Sequence, residues 1–137
     1  MKLLLILAGC GQLALAAASL ALPRVLGWRE DTAKLRPLTR EVFWTYAVYI
    51  WSINVSFGLV SALAPHWLLD GTPLARSVCG FIAVYWGARL VIQLAAFGKH
   101  APPGAMFKLA EAAMTALFLS LTAIYGWAAA GAAPPAP

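Results

Sequence analysis

The sequence predicts an all-α membrane protein, a bundle of four transmembrane helices, and three observations carry that prediction. Of its 137 residues 62% are apolar and only 11% are charged, against roughly 25% charged in an ordinary soluble domain. Four apolar stretches of about 20 residues follow one another, each long enough at about 1.5 Å per residue to cross a hydrocarbon core. Most of the charges and prolines stand between these stretches. Residues 1–128 therefore read as a single domain, with no room for a separate soluble catalytic domain.

The first span, Leu3 to Leu22, contains no charge and ends at Pro23-Arg24; its alanines and glycines suit close helix packing. The longest connection follows, residues 24–41, with Arg24, Arg29, Glu30, Asp31, Lys34, Arg36 and Arg40 and with Trp28, Leu35 and Leu38 available to lie on the membrane surface. The second span covers 42–63 and stops ahead of Pro65, because the residue before a proline is pushed out of helical geometry. Asp70-Gly71 supplies a turn, and Thr72-Pro73 has the form of a helix start: a capping hydroxyl, then a proline at the first helical position.

The third span, 74–97, is expected to close on Gly98 as a left-handed cap before Lys99-His100. Pro102-Pro103-Gly104 breaks the chain, and a fourth span covers 105–127. Residues 129–137 are Ala, Gly and Pro, a composition that buries no core, so this tail is expected to be disordered.

Lysines and arginines set the orientation. Five stand in the first connection, and Lys99 and Lys108 flank the third, whereas the opposite side holds Lys2 and Arg76. Both termini are expected outside and the 24–41 and 98–104 connections inside. The tryptophans agree: Trp28 and Trp44 fall near the inner interface, Trp67 and Trp127 near the outer one. The Ala-rich composition points to a bacterial inner membrane. The net charge of +5 is read as a topology signal, not a nucleic-acid surface.

Two processing patterns compete for the first span. Lys2, the apolar run and Ala16-Ala17-Ala18 fit a signal peptide, but cleavage there would send the five basic residues outward. Leu7-Ala8-Gly9-Cys10 fits a lipobox, but few residues precede the cysteine and the apolar run continues past it. The span is read as retained. Cys10 and Cys79, both inside spans, are read as inert thiols.

No phosphate-binding loop, zinc-protease motif, paired-cysteine motif or nucleophile elbow occurs, so neither a cofactor nor a metal is expected. His66 and His100 lie about a membrane thickness apart, too far for one haem. The chain is similar in size to the small four-helix proton-coupled exporters, but it offers only Gln12 where their first span carries a carboxylate.

What remains is polar chemistry at membrane depth. Counting from the helix ends places Gln12, Arg89 and Glu111 at one level, roughly 10 to 15 Å from the inner edge. Tyr85, Arg89 and Gln93 share a face of the third span, and Glu111, Thr115, Phe118 and Thr122 a face of the fourth. Arg89 and Glu111 are expected to form an interhelical ion pair, either as a lock between helices or as a ligand or proton site with Gln12, Gln93 and Tyr85 around it. The structural reading is preferred. Its variant has Arg89 snorkelling inward and Glu111 paired with Lys108.

Asn54, on a stripe with Gly58 and Ser61, reaches this cluster only indirectly. His66, Asp70 and Arg76 at the outer turn form a weaker anion or metal candidate, better read as anchors and caps. The function expected is that of a noncatalytic membrane protein acting through helix contacts, as an accessory or scaffold subunit or a homo-oligomer within the lipid bilayer. The alternatives are a small carrier or channel subunit and, last, a lipid-modifying enzyme.

Overall fold

The computed structural model of the chain describes residues 1–100 and 102–131. Four helices in it are long and apolar enough to cross a membrane: Lys2–Val25, Pro37–Leu63, Pro73–Phe97 and Ala105–Ala129. The element order is α1 (Lys2–Ser19), α2 (Leu22–Val25), α3 (Trp28–Ala33), α4 (Pro37–Leu63), α5 (Pro65–Leu68), α6 (Pro73–Ile92), a π-turn (Gln93–Phe97), α7 (Gly98–His100) and α8 (Ala105–Ala129). The all-helical bundle expected from the sequence is what the chain forms. Of the expected disordered tail, residues 132–137 lie outside the described residues, and Ala129 still belongs to α8.

Helix boundaries follow local chemistry. Pro37 opens α4 five residues ahead of the expected start, since proline at the first position gives up no intrahelical bond. Thr72 caps α6 as expected, its hydroxyl accepting from the Ala75 amide at 3.2 Å with Pro73 next. Gly98 does not end the third helix. The backbone widens into the π-turn and runs on to His100.

The connection between the first two spans is itself partly helical, with α2 and α3 joined through Gly27 at φ 64, a left-handed conformation that costs glycine little. Trp28 at the start of α3 packs edge-on against Phe43 (5.2 Å between ring centres) and Trp44 (6.3 Å), tying the connection to the first turns of α4.

Two antiparallel hairpins make the bundle. In the first, α1 and α4 cross at backbone contact. A Cβ added to Gly9 would stand 2.6 Å from the Ala62 amide nitrogen and 2.8 Å from the Gly58 carbonyl oxygen, so only glycine fits. The Trp51 indole donates to the Ala16 carbonyl (3.0 Å) farther along the same contact. In the second hairpin α6 packs along α8, with Gly80 against Ala129 and Gly87 against Thr122.

The core lies between the hairpins. Leu5 and Ala8 of α1 meet Cys79, Ile82 and Trp86 of α6 and Phe118, Leu121 and Tyr125 of α8. Trp86 and Phe118 stack at 5.3 Å. Phe57 of α4 adds edge contacts to Phe81 and Tyr85.

Candidate functional site

The polar groups that the bundle buries converge on Gln12. It is fully buried on α1, and its side chain uses both ends. The amide nitrogen donates to the Tyr125 hydroxyl (2.6 Å) and more weakly to the Ala8 carbonyl (3.4 Å). The amide oxygen accepts from the Trp86 indole (3.1 Å). Ser61 of α4 closes the set through a hydrogen bond with the same Tyr125 hydroxyl.

One residue from each spanning helix therefore meets at the bundle centre, and no buried side-chain nitrogen or oxygen among the described residues is left without a partner. Such closure is what a medium without water demands, because an unmade hydrogen bond there has no solvent to replace it. The network holds no carboxylate, amine or imidazole. As built, it fixes the mutual rotation of four helices.

Of the residues singled out in the sequence, Gln12 is central and Asn54 is more direct than expected. Its amide oxygen accepts from the Tyr85 hydroxyl (2.8 Å), a bond that joins the two hairpins beside the main network. Gln93 is buried within the π-turn. Trp86 and Tyr125 are not legible as partners in the sequence: an aromatic residue inside an apolar run reads as bulk, and Tyr125 sits where an interfacial anchor is expected. The one signal is their helical spacing from other core residues, Ile82 to Trp86 and Leu121 to Tyr125.

The expected pair of Arg89 and Glu111 does not form. Among the described residues the one ion pair within 4 Å is Lys34 with Asp31, so Glu111 is not paired with Lys108 either. The reason is register. The Gly80–Ala129 and Gly87–Thr122 contacts set Arg89 opposite the stretch from Phe118 to Thr122. Glu111 lies seven residues beyond Phe118, about 10 Å farther along α8. Counting from the helix ends errs because the third helix continues past Gly98.

Arg89 instead places its guanidinium over two rings, Phe97 (4.7 Å from the ring centre) and Phe118 (5.3 Å). Phe97 lies two turns nearer the helix end, which is the direction that snorkelling takes. Of the expected α8 face, Phe118 is in the core and Thr122 packs on Gly87 of α6, but the core face is turned from the one expected. It carries Phe118, Leu121, Tyr125 and Ala128, while Thr115 and Thr122 return their hydroxyls to the Glu111 and Phe118 carbonyls of their own helix.

A double-mutant cycle checks this arrangement. Arg89→Met and Glu111→Gln should be additive to within about 0.5 kcal/mol in a reversible unfolding assay in detergent, whereas a coupling above about 1 kcal/mol would restore the pair.

The outer-turn residues are held apart by structural duties. Asp70 accepts from the amide (2.9 Å) and hydroxyl (2.7 Å) of Thr72. These two bonds, the hydroxyl's first, hold its carboxyl below the usual carboxylate range. Arg76 donates to the Ala129 carbonyl (2.9 Å), a cation at the C-terminus of α8. His66 stands edge-on to Trp67, and no cluster of three metal-ligating side chains occurs among the described residues.

Two cavities of about 290 and 270 Å³ lie at the Arg24–Arg40 connection, the first lined by Arg29, Thr32, Ala33, Arg40 and Trp44. Neither is lined by Gln12, Arg89 or Glu111. Compared with known proteins, the chain matches no family model, no curated protein and no solved structure.

Proposed function

We propose that this is a noncatalytic membrane protein that works through helix contacts, pairing along α4 with a second copy or with a larger membrane subunit. The observation that carries the reading is the contrast between the two sides of α4. Its inner side is consumed by Gly58, Ser61, Asn54 and Phe57. Its outer side is open: only 11% of its most apolar 18-residue window is buried, the same share as in the fourth span and against 28% for the first, and what sets α4 apart is the pattern along that open side.

That open side is not uniformly apolar. Thr45, Tyr49, Ser52 and Ser56 are all exposed and recur at spacings of four, three and four, the alternation that keeps one seam facing a partner helix. Ser52 and Ser56 return their hydroxyls to the Val48 and Ser52 carbonyls, so they present a smooth, small surface. Small and hydroxyl-bearing residues are what membrane helices use to approach closely.

The closed Gln12 network supports the same reading, because its groups bond to one another and offer no chemistry to a substrate. The basic connection supports an orientation with residues 24–41 on the cytoplasmic side and both termini outside, and the Ala-rich composition is what favours a bacterial inner membrane.

Cysteine crosslinking in native membranes tests the proposal. Ser52→Cys or Ser56→Cys should give a dimer or a discrete larger adduct under mild oxidation or with a short bis-maleimide. Ile50→Cys, exposed on the same helix but about 160° around from Ser52, should give far less. Monomer alone from both seam positions would overturn the reading.

A further inference from the structure

The cavity at the first connection lies where a membrane protein meets lipid headgroups, and its lining is chemically one-sided. Arg29, Thr32 and Ala33 come from α3, and Arg40 and Trp44 from the first two turns of α4. The connection does contain acidic residues, but none lines this cavity. Asp31 is engaged by Lys34 at 3.8 Å, Glu30 lines the neighbouring cavity with Arg24 and with Arg29, which borders both, and Glu41 lines neither. Among the described residues neither Arg29 nor Arg40 has a carboxylate within 4 Å. Two arginines thus line one space of about 290 Å³ that no carboxylate lines.

The surroundings fix the geometry. Thr32 is buried, and its hydroxyl donates to the Trp28 carbonyl (2.6 Å), so it has no proton left to offer an anion. Recognition therefore falls to the arginines, whose planar forks match phosphate oxygens two at a time. Below them, one turn along α4 from Arg40, Trp44 joins Trp28 and Phe43 in a three-ring cluster with centre separations of 5.2 to 6.3 Å. Arginine above and indole below is the order of phosphate and then acyl-carbonyl depth in a leaflet.

We propose that this cavity binds the phosphate headgroup of an anionic phospholipid, with Arg29 and Arg40 on the phosphate and Trp44 against the glycerol and upper acyl chain. An inorganic or soluble phosphate shares the arginine chemistry but has nothing to place on the indole wall. The site takes lipid because its apolar side continues into the membrane.

Native mass spectrometry of the full chain, released from nanodiscs of phosphatidylcholine mixed with phosphatidylglycerol, tests this. The parent should retain one phosphatidylglycerol in preference to phosphatidylcholine. Arg29→Gln with Arg40→Gln should weaken that retention roughly 10- to 30-fold, as the loss of two charge-assisted phosphate contacts implies. Arg29→Lys with Arg40→Lys, which keeps the charge and the fold, should recover part of it.

Lys34→Gln with Arg36→Gln removes the same charge outside the cavity and should leave retention within about twofold of the parent. Equal losses from the two glutamine pairs would overturn the proposal in favour of unlocalised charge attraction. Displacement of the lipid by millimolar inorganic phosphate would overturn it in favour of a soluble-anion site. Unaltered retention by the Arg29 and Arg40 variants would remove the site altogether.

Discussion

Gly9→Leu should be the most damaging single substitution in the chain. At this position even a Cβ meets backbone, the Ala62 amide nitrogen at 2.6 Å and the Gly58 carbonyl oxygen at 2.8 Å, and backbone atoms cannot swing aside as a side-chain end can. The helices must separate. With them goes the indole bond from Trp51 to Ala16 and the placement of Ser61 on Tyr125. Overpacking in a well-filled interior costs about 1 to 3 kcal/mol, and here the loss should reach about 3 or exceed it. Reversible unfolding in mixed micelles reads the change directly. Gly126→Ala, with nothing within 4 Å of the added carbon, should be neutral in the same assay. A leucine at position 9 that left stability unaltered would show that α1 and α4 do not cross at this point.

Gln12→Ala should rank second, at about 2 to 4 kcal/mol. Hydrogen bonds between membrane helices are worth only about 0.6 kcal/mol on average, so lost bonds alone do not reach that figure. The larger part comes from the void left by a long, fully buried side chain and from the Trp86 indole, whose proton then has no acceptor. Tyr125→Phe separates these contributions. It removes the hydroxyl shared by Gln12 and Ser61 while keeping the ring, and should cost about 1 kcal/mol. If both variants lose the same amount, the void does not cause most of the damage at position 12.

The two halves of this structure differ in how far the sequence discloses them. Spans are legible because the bilayer imposes a length, and Thr72-Pro73 announces the start of α6 through local capping chemistry. Gln12 stands out because an amide in an apolar run must find partners. Which partners it finds depends on helix rotation and register, and these are set by contacts distant in sequence: Gly9 on Gly58, Gly87 on Thr122. The register between α6 and α8 escapes a count along the chain for a specific reason, the continuation of the helix through the π-turn to His100. In the 24–41 connection the dense charges mask α3, although Trp28, packed on Phe43 and Trp44, gives it a definite seat on α4.

The π-turn at Gln93–Phe97 bears on length as well as shape. A π-turn closes i to i+5 instead of i to i+4, so it amounts to an α-helical turn with one residue added. In an unbroken α-helix, eight residues at about 100° each would leave Phe97 some 80° around from Arg89. With the extra residue taken up, the phenyl ring comes to lie 4.7 Å from the guanidinium. The turn is in effect an insertion recorded in the backbone, absorbed without disturbing the aromatic seat of a membrane-embedded arginine. A homologue one residue shorter between positions 93 and 97 would run through as regular α-helix with the ring seven residues from the arginine, about 20° from its azimuth, and would keep the two together. A single-residue gap at this place in an alignment would therefore mark the loss of the π-turn and not the loss of the arginine's shelter.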